Sequence, residues 1–218
     1  ICIDLETWDP NLKEKGSGWA RKDGHIVGIA LATEGWQGYF PIRHRSGGNL
    51  DEKLVFNWLK EMLSTNSDKI CHNASYDIGW LKAEGIEAKG RIIDTMVAAP
   101  LIDENRFSYS LNALGRHYLQ ESKNEELLND AAEAWNVDSK SGLSELPPMY
   151  VGPYAEQDAA LTLRLWKHFK TELSKQDLWS IFNLESSITP LLIEMRMRGV
   201  RIDLERAEEM SKTVSYTH

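Results

Sequence analysis

Cysteine is scarce in this chain. Only Cys2 and Cys71 occur among 218 residues, and both lie in short apolar runs. That excludes a disulfide framework and a cysteine-built zinc site, and it marks the two as small buried residues of a reducing compartment. Long apolar runs are missing too: no stretch approaches the roughly 20 residues needed to span a bilayer, and no signal peptide is visible. Positive charge is in deficit. The 25 basic residues face 33 acidic ones, a formal net charge of −8. This argues against broad electrostatic binding to duplex nucleic acid. It leaves room for a narrow site where metal ions, not lysines, meet phosphate. Internal repeats and low-complexity tracts are absent. What is present is a globular composition, 42% hydrophobic, in a length that allows one large domain or one domain plus an appendage. The chain opens at Ile1 inside a strand pattern, so a natural start is expected upstream.

The pattern along the chain predicts the architecture. "ICIDLET" is apolar apart from its acids, as a central strand covered on both faces would be. Residues 9–24, rich in Lys, Gly and Asp, read as a long loop. "HIVGIALAT" and "GWQGYFPIR" read as strands turned at Gly35. "NLDEKLVFNWLKEML" reads as an amphipathic helix capped by Asn49 or Asp51, with Leu54, Trp58 and Leu59 on its apolar side. A short strand "DKICHNA", a helix "SYDIGWLKAEG" closed by Gly85, a strand "RIIDT" and a helix "YSLNALGRHYL" follow. Residues 121–148 are polar and look like an insertion with one helix at "NEELLNDAAEAW". A long helix is predicted from about Tyr154 to Leu173. Two further helical patterns from Gln176 are joined at "RGVRID". Three successive strands, then strands alternating with helices, predict an α/β fold: a mixed sheet with helices on both faces.

Four acids draw the eye. Asp4 and Glu6 are two apart on a strand and so share a face, roughly 6–7 Å apart along the chain. Carboxylates placed together repel, and an unpaired buried charge is costly. Either the pair sits at a solvated strand end, or a divalent cation lies between them, since hard cations such as Mg²⁺ take oxygen ligands. Asp77, in "HNASYD", falls in the first turn of a helix, where a plain dipole role is open and Ser75 can serve as the cap. Tyr154 and Asp158 lie four apart on one helical face, and Leu161, Leu165 and Trp166 continue that side into the core. The ordinary reading there is a core ring with its hydroxyl at the rim.

In this order and company the motifs resemble one family. The chain is similar to the DEDD superfamily of 3′–5′ exonucleases, tyrosine subgroup. More narrowly it resembles the proofreading exonuclease domain of family A DNA polymerases, the bacterial polymerase I group and its phage relatives. The likeness rests on "DLET" at Asp4–Thr7, "HNASYD" around Asn73 and Asp77, and "YAEQD" at Tyr154–Asp158, with "GYFPIRHR" and "YSLNALGRHYL" in support. It covers about residues 1–175 and is weakest in 121–148. Tyr154, with Pro153 where the other subgroup carries His, selects the tyrosine subgroup. The resemblance implies a ribonuclease H-like fold and phosphodiester hydrolysis with two divalent cations, Mg²⁺ or Mn²⁺. It implies that Asp4 bridges both ions, that Glu6 and Asp158 complete the first site, and that Asp77 holds the second through water. Tyr154 would aim the attacking water. Leu5 and Thr7 would contact the terminal nucleotide of a single-stranded DNA 3′ end, and Asn73 its neighbour. A polymerase domain in cis, no membrane, and a bacterial or phage-infected cytoplasm are implied as well.

Two other readings stay open: a stand-alone ribonuclease D-like exoribonuclease, and an inactive module that binds DNA ends. The tail separates them, because "LLIEMRMRGVRID" resembles the segment joining exonuclease to polymerase. Residues 1–175 are therefore expected to form the exonuclease, and 176–218 the helical start of a truncated polymerase region. In that tail Leu184, Ile188, Leu191, Leu192 and Met195 form an apolar stripe that wants a partner. Asp203 can cap the last helix, which is expected to run to the final residue. Asp94 is expected to cap the helix at Met96 and not to bind metal. Trp58, Trp80 and Trp166 read as core, and Trp8 or Trp19 as a candidate for stacking on a single strand. Lys13, Lys15, Arg21 and Lys22, with Arg43, His44 and Arg45, are candidates for the DNA approach path.

Overall fold

Five strands form one sheet in the order β3-β2-β1-β4-β5. They are β1 (Cys2–Trp8), β2 (His25–Thr33), β3 (Trp36–Pro41), β4 (Lys69–Cys71) and β5 (Ile92–Asp94). The computed structural model describes residues 1–217. The first three strands pair antiparallel, while β4 and β5 join β1 in parallel, which is the mixed sheet predicted. The helices are α1 (Leu12–Lys15), α2 (Glu52–Leu63), α3 (Ala74–Ala83), α4 (Thr95–Ile102), α5 (Leu111–Leu114), α6 (Glu126–Ala134), α7 (Pro148–Lys175), α8 (Trp179–Arg198) and α9 (Leu204–Thr217).

The two-residue period of β1 decides what faces what. Ile3 and Leu5 turn to one side, where α2 and α3 supply Val55, Phe56, Leu59, Ile78 and Trp80. Cys2 turns to the other, among Ala30, Ala32 and Ile93 of the sheet and Ala155, Ala159 and Leu165 of α7. The small side chains on that face let α7 lie close. Asp4 and Glu6 share the face of Cys2, so both acids point toward α7. Cys2 and Cys71 are free and buried.

Several local expectations are corrected. The 9–24 loop contains α1 and a tight turn at Gly18–Ala20, which delivers Trp19 into the core. Gly79 makes the notch: a Cβ there would come within 2.4 Å of the Trp19 ring. Trp19 is therefore core, like Trp80 and Trp166, whereas Trp58 is half exposed with its ring 4.9 Å from Phe40. Asp51 caps α2, accepting from the Leu54 N–H at 2.8 Å. The buried face of α2 is Val55, Phe56, Leu59 and Leu63, and Leu54 is exposed. α7 starts at Pro148, six residues ahead of Tyr154, with proline in the favoured first position. In the tail, α8 docks through Phe182, Ser186, Thr189 and Ile193. The predicted stripe lies on its other side, with Leu184, Leu191, Leu192 and Met195 exposed. Asp203 does cap α9, through the Arg206 N–H at 3.1 Å. The expectation that this helix reaches His218 lies outside the described residues. Among those described, no helix is long and apolar enough to cross a membrane.

Candidate active site

Three elements bring the motifs together. Asp4 and Glu6 leave β1 opposite Ala30 and Gly28 of β2, and a bulge follows between Glu6 and Thr7. Asp77 rises from the first turn of α3, and its Oδ1 accepts from the N–H of Leu5 at 3.1 Å. That bond ties the second motif to the backbone between the two acids of the first. Asp158, from α7, is buried and acts electrostatically on both Asp4 and Glu6. Tyr154, one turn earlier, sits in the field of Asp158, Glu6 and Asp4.

Burial governs the charge at this site. It pushes Asp4 up to about 7, with the Asp158 carboxylate adding to the effect and Lys123 opposing it. Burial, then Asp4 and Asp158, raises Glu6 well above the carboxylate range. Burial, then Asp4, does the same to Asp77. Asp158 is raised by burial against the pull of Lys123 and the Tyr154 hydroxyl. The Tyr154 hydroxyl is kept protonated by burial and by the nearby carboxylates. In addition, Asp158 Oδ1 is buried without a hydrogen-bond partner. Oxygen donors that repel one another, one of them unpaired, have the chemistry of a hard-cation site. Among the described residues, however, no three acids or histidines converge tightly enough to ligate one ion as they stand.

A lysine lies among these acids. Lys123 Nζ pairs with Asp158 and donates to the Tyr154 hydroxyl at 2.9 Å, and it lies 4.4 Å from the Tyr154 ring centroid. Sequence reasoning missed it. Its one signal was to be the only basic residue in the acid-rich run "ESKNEELLND". Tyr39 was missed as well: its hydroxyl is buried in the field of Glu6 and Asp4 and bonds His44 Nε2 at 2.7 Å.

The supporting residues divide. Asp94 caps α4 through the Met96 N–H at 2.8 Å, and it also accepts from the N–H groups of Asn73 and Ala74 at 2.9 and 2.7 Å. It therefore fixes the turn from which Asp77 projects. Ser75 is not that cap; Asn73, at a φ of 71°, holds the position without a side-chain bond to the helix backbone, its Oδ1 accepting instead from the Ser75 hydroxyl at 3.2 Å. Leu5 has its side chain in the core and its N–H taken by Asp77. Thr7 is partly exposed and bonds the Tyr76 hydroxyl at 2.7 Å, and Asn73 is exposed. Of the basic clusters, Arg43 is locked between Glu52 and Glu84, and Arg21 donates to the carbonyls of Lys15, Gly16 and Ser17. His44 is buried against the Leu146 carbonyl. Arg45 stays at the surface, 5.4 Å over the Trp8 ring and paired with Glu145.

Comparisons with known proteins point to one family. A family model described as the 3′–5′ exonuclease of A-type DNA polymerases matches residues 15–174. That span holds Asp77, Tyr154 and Asp158, and the fold joins Asp4 and Glu6 to them. A DNA-directed DNA polymerase of Pseudomonas phage M6 is 38% identical over 97% of this chain and 33% of its own length. The chain spans about a third of the length of such phage relatives. Among solved structures, the POL domain of Pol1 from M. smegmatis matches with a TM-score of 0.68 at 19% identity, over 98% of this chain and 31% of that one. Brucella melitensis NrnC matches with a TM-score of 0.67 at 17% identity, over 91% and 85%. These likenesses establish the ribonuclease H-like α/β fold. By its motifs, its fold and the family match across most of its length, the chain belongs to the 3′–5′ exonuclease family of A-type DNA polymerases.

Proposed function

We propose that this chain is a divalent-metal-dependent 3′–5′ exonuclease that removes nucleotides from single-stranded DNA 3′ ends, as the proofreading domain of a family A DNA polymerase. The observation that carries this reading is the meeting of Asp4 and Glu6 of β1, Asp77 of α3, and Tyr154 and Asp158 of α7 around β1. Carboxylates are acceptors only and repel phosphate, so they cannot bind the substrate unaided. Two divalent cations, Mg²⁺ or Mn²⁺, would supply when bound the positive charge that accepts the phosphate and eases the ionisation of water. Asp4, central on β1, would serve both ions, Glu6 and Asp158 the first, and Asp77 the second through water. Tyr154, held protonated, would orient the attacking water through its hydroxyl. Thr7 and Asn73 flank the acids and would hold the terminal nucleotides. Residues 1–175 would form the exonuclease, with 176–218 leading into a polymerase region in cis, in a bacterial or phage-infected cytoplasm.

The test uses single-stranded DNA labelled at its 5′ end, with RNA of the same sequence in parallel. With Mg²⁺ or Mn²⁺ the DNA is expected to shorten one nucleotide at a time from the 3′ end, faster than the RNA. Chelation should stop it, and Asp4→Ala and Asp158→Ala should each be inactive. Faster loss of RNA would move the chain to the exoribonuclease reading. Tight DNA binding without cleavage would make it an end-binding module.

A further inference from the structure

Lys123 is built into the site and does not reach it from a free loop. Its own N–H is held by Asn112 Oδ1 at 3.2 Å. The residues on either side are clasped by one amide: Gln157 Oε1 accepts from the Asn124 N–H at 2.9 Å, and Gln157 Nε2 donates to the Ser122 carbonyl at 3.3 Å. Gln157 immediately precedes Asp158, so the clasp sets the lysine against the carboxylate it pairs with. The Lys123 side chain is only 10% exposed, and Glu125 lies 3.9 Å from its Nζ. Asp158 Oδ2 faces the ammonium while Oδ1 is left unpartnered.

We propose that Lys123 is a positioning residue that serves as the site's internal counter-cation: its ammonium takes the Asp158–Tyr154 position in the metal-free protein, and a divalent ion drawing on Asp158 must displace it. The inference rests on the metal-dependent reading above and adds a competition to it. An ammonium brings one charge and needs acceptors for its hydrogens, which Asp158 and Tyr154 provide. A divalent ion brings twice the charge and asks for the same carboxylate, so the two compete. The lysine then has two effects. It relieves repulsion among Asp4, Glu6 and Asp158 before metal arrives, and it lowers the apparent affinity for the metal.

The test follows Mn²⁺ binding by electron paramagnetic resonance to the full chain, freed of metal by chelation. It compares the parent with Lys123→Met, which keeps an apolar stem on the Tyr154 ring, and Lys123→Arg, which keeps the charge. Lys123→Met is expected to bind Mn²⁺ about tenfold tighter, the scale of one charge-assisted hydrogen bond. Its metal-free form should melt below the parent, and the gap should close at saturating Mn²⁺. Lys123→Arg should stay near the parent. Gln157→Ala, which keeps the lysine but opens the clasp that sets it against Asp158, should also bind Mn²⁺ tighter and covers the case in which Lys123→Met fails to fold. A parent that binds Mn²⁺ alongside variants that bind it no tighter would overturn the role of Lys123 alone. A parent with no saturable Mn²⁺ binding would overturn the metal reading and this inference with it.

Discussion

At the scale of the residue, one atom separates the two readings of Tyr154. Tyr154→Phe keeps the ring and removes the hydroxyl that Lys123 contacts. If that hydroxyl orients the attacking water, the single-turnover rate on DNA should fall roughly 10–100-fold while Mn²⁺ binding is not weakened. A core role alone would leave the rate unchanged. His44 gives a second prediction. The Leu146 carbonyl can only accept, so Nδ1 carries the proton and Nε2 accepts from the Tyr39 hydroxyl. Burial lowers the His44 pKa below its usual 6.5. The unfolded chain therefore takes up a proton first, and the stability from neutral His44 is present above pH 6.5 and lost as the pH falls toward the folded value. Between pH 7.5 and pH 5.5, urea denaturation should show the parent losing more stability than His44→Gln, and equal losses would reject the claim. The acids and Tyr154 were legible because their motifs, taken in order, resemble a known family; spacing of two on a strand and four on a helix gave only the shared face within the first and third motifs. Lys123 and His44 were not, because their partners lie at Asp158 and Leu146, far along the chain, and no local period reports such a contact.

At the scale of the element, β2 shows how a strand makes room for a site. Gly28 stands opposite Glu6, and a Cβ there would lie 2.0 Å from the Tyr39 hydroxyl. Gly28→Ala should displace Tyr39 from His44 and cost about 1–3 kcal/mol in urea denaturation, as overpacking does in a filled core. Gly38→Ala on β3 is the control. Its Cβ would meet the ring of Trp36, which is half exposed and free to swing, so it should cost clearly less. If the two cost the same, the close approach of Tyr39 is not what fixes glycine at position 28. Strand β2 was legible over its whole length because it is apolar and bounded by His25 and Gly35. The start of α7 was not, since Pro147, Pro148 and Pro153 read as breakers. In the fold Pro148 takes the first helical position. Pro153, on the exposed side, removes only the N–H that would reach the carbonyl of Met149 near the helix start. The face of α2 was ambiguous because Leu54 and Trp58 compete with Val55, Phe56 and Leu63 for the apolar side. Only packing against the sheet settles that choice.

At the scale of the whole molecule, the question is where the exonuclease ends. The resemblance read from the motifs runs to about residue 175, which placed the expected border there, and the family match covers residues 15–174. The packing argues that α8 is energetically part of the body it follows. Phe182 is fully buried with its ring 5.2 Å from Trp166, and Ile193 joins the core on the opposite side of the sheet. Glu194 pairs with Lys82, and Arg196 lies 5.4 Å over the Trp19 ring. Burying a Phe or Ile side chain is worth about 1.5–3 kcal/mol each, so losing both removes much of the stability of a domain this size. A chain cut after Lys175 should therefore melt well below the 218-residue chain or fail to fold. A chain cut after Gly199 should melt with it, because the described side chains of α9 through Val214 are exposed. Equal melting of the two shortened chains would instead show that α8 adds no stability to the body it follows. The outer side of α8 keeps Leu184, Leu191, Leu192 and Met195 exposed. With its inner face docked and its outer face apolar and exposed, α8 is bound to the body it follows on one side, and the two truncations measure that bond.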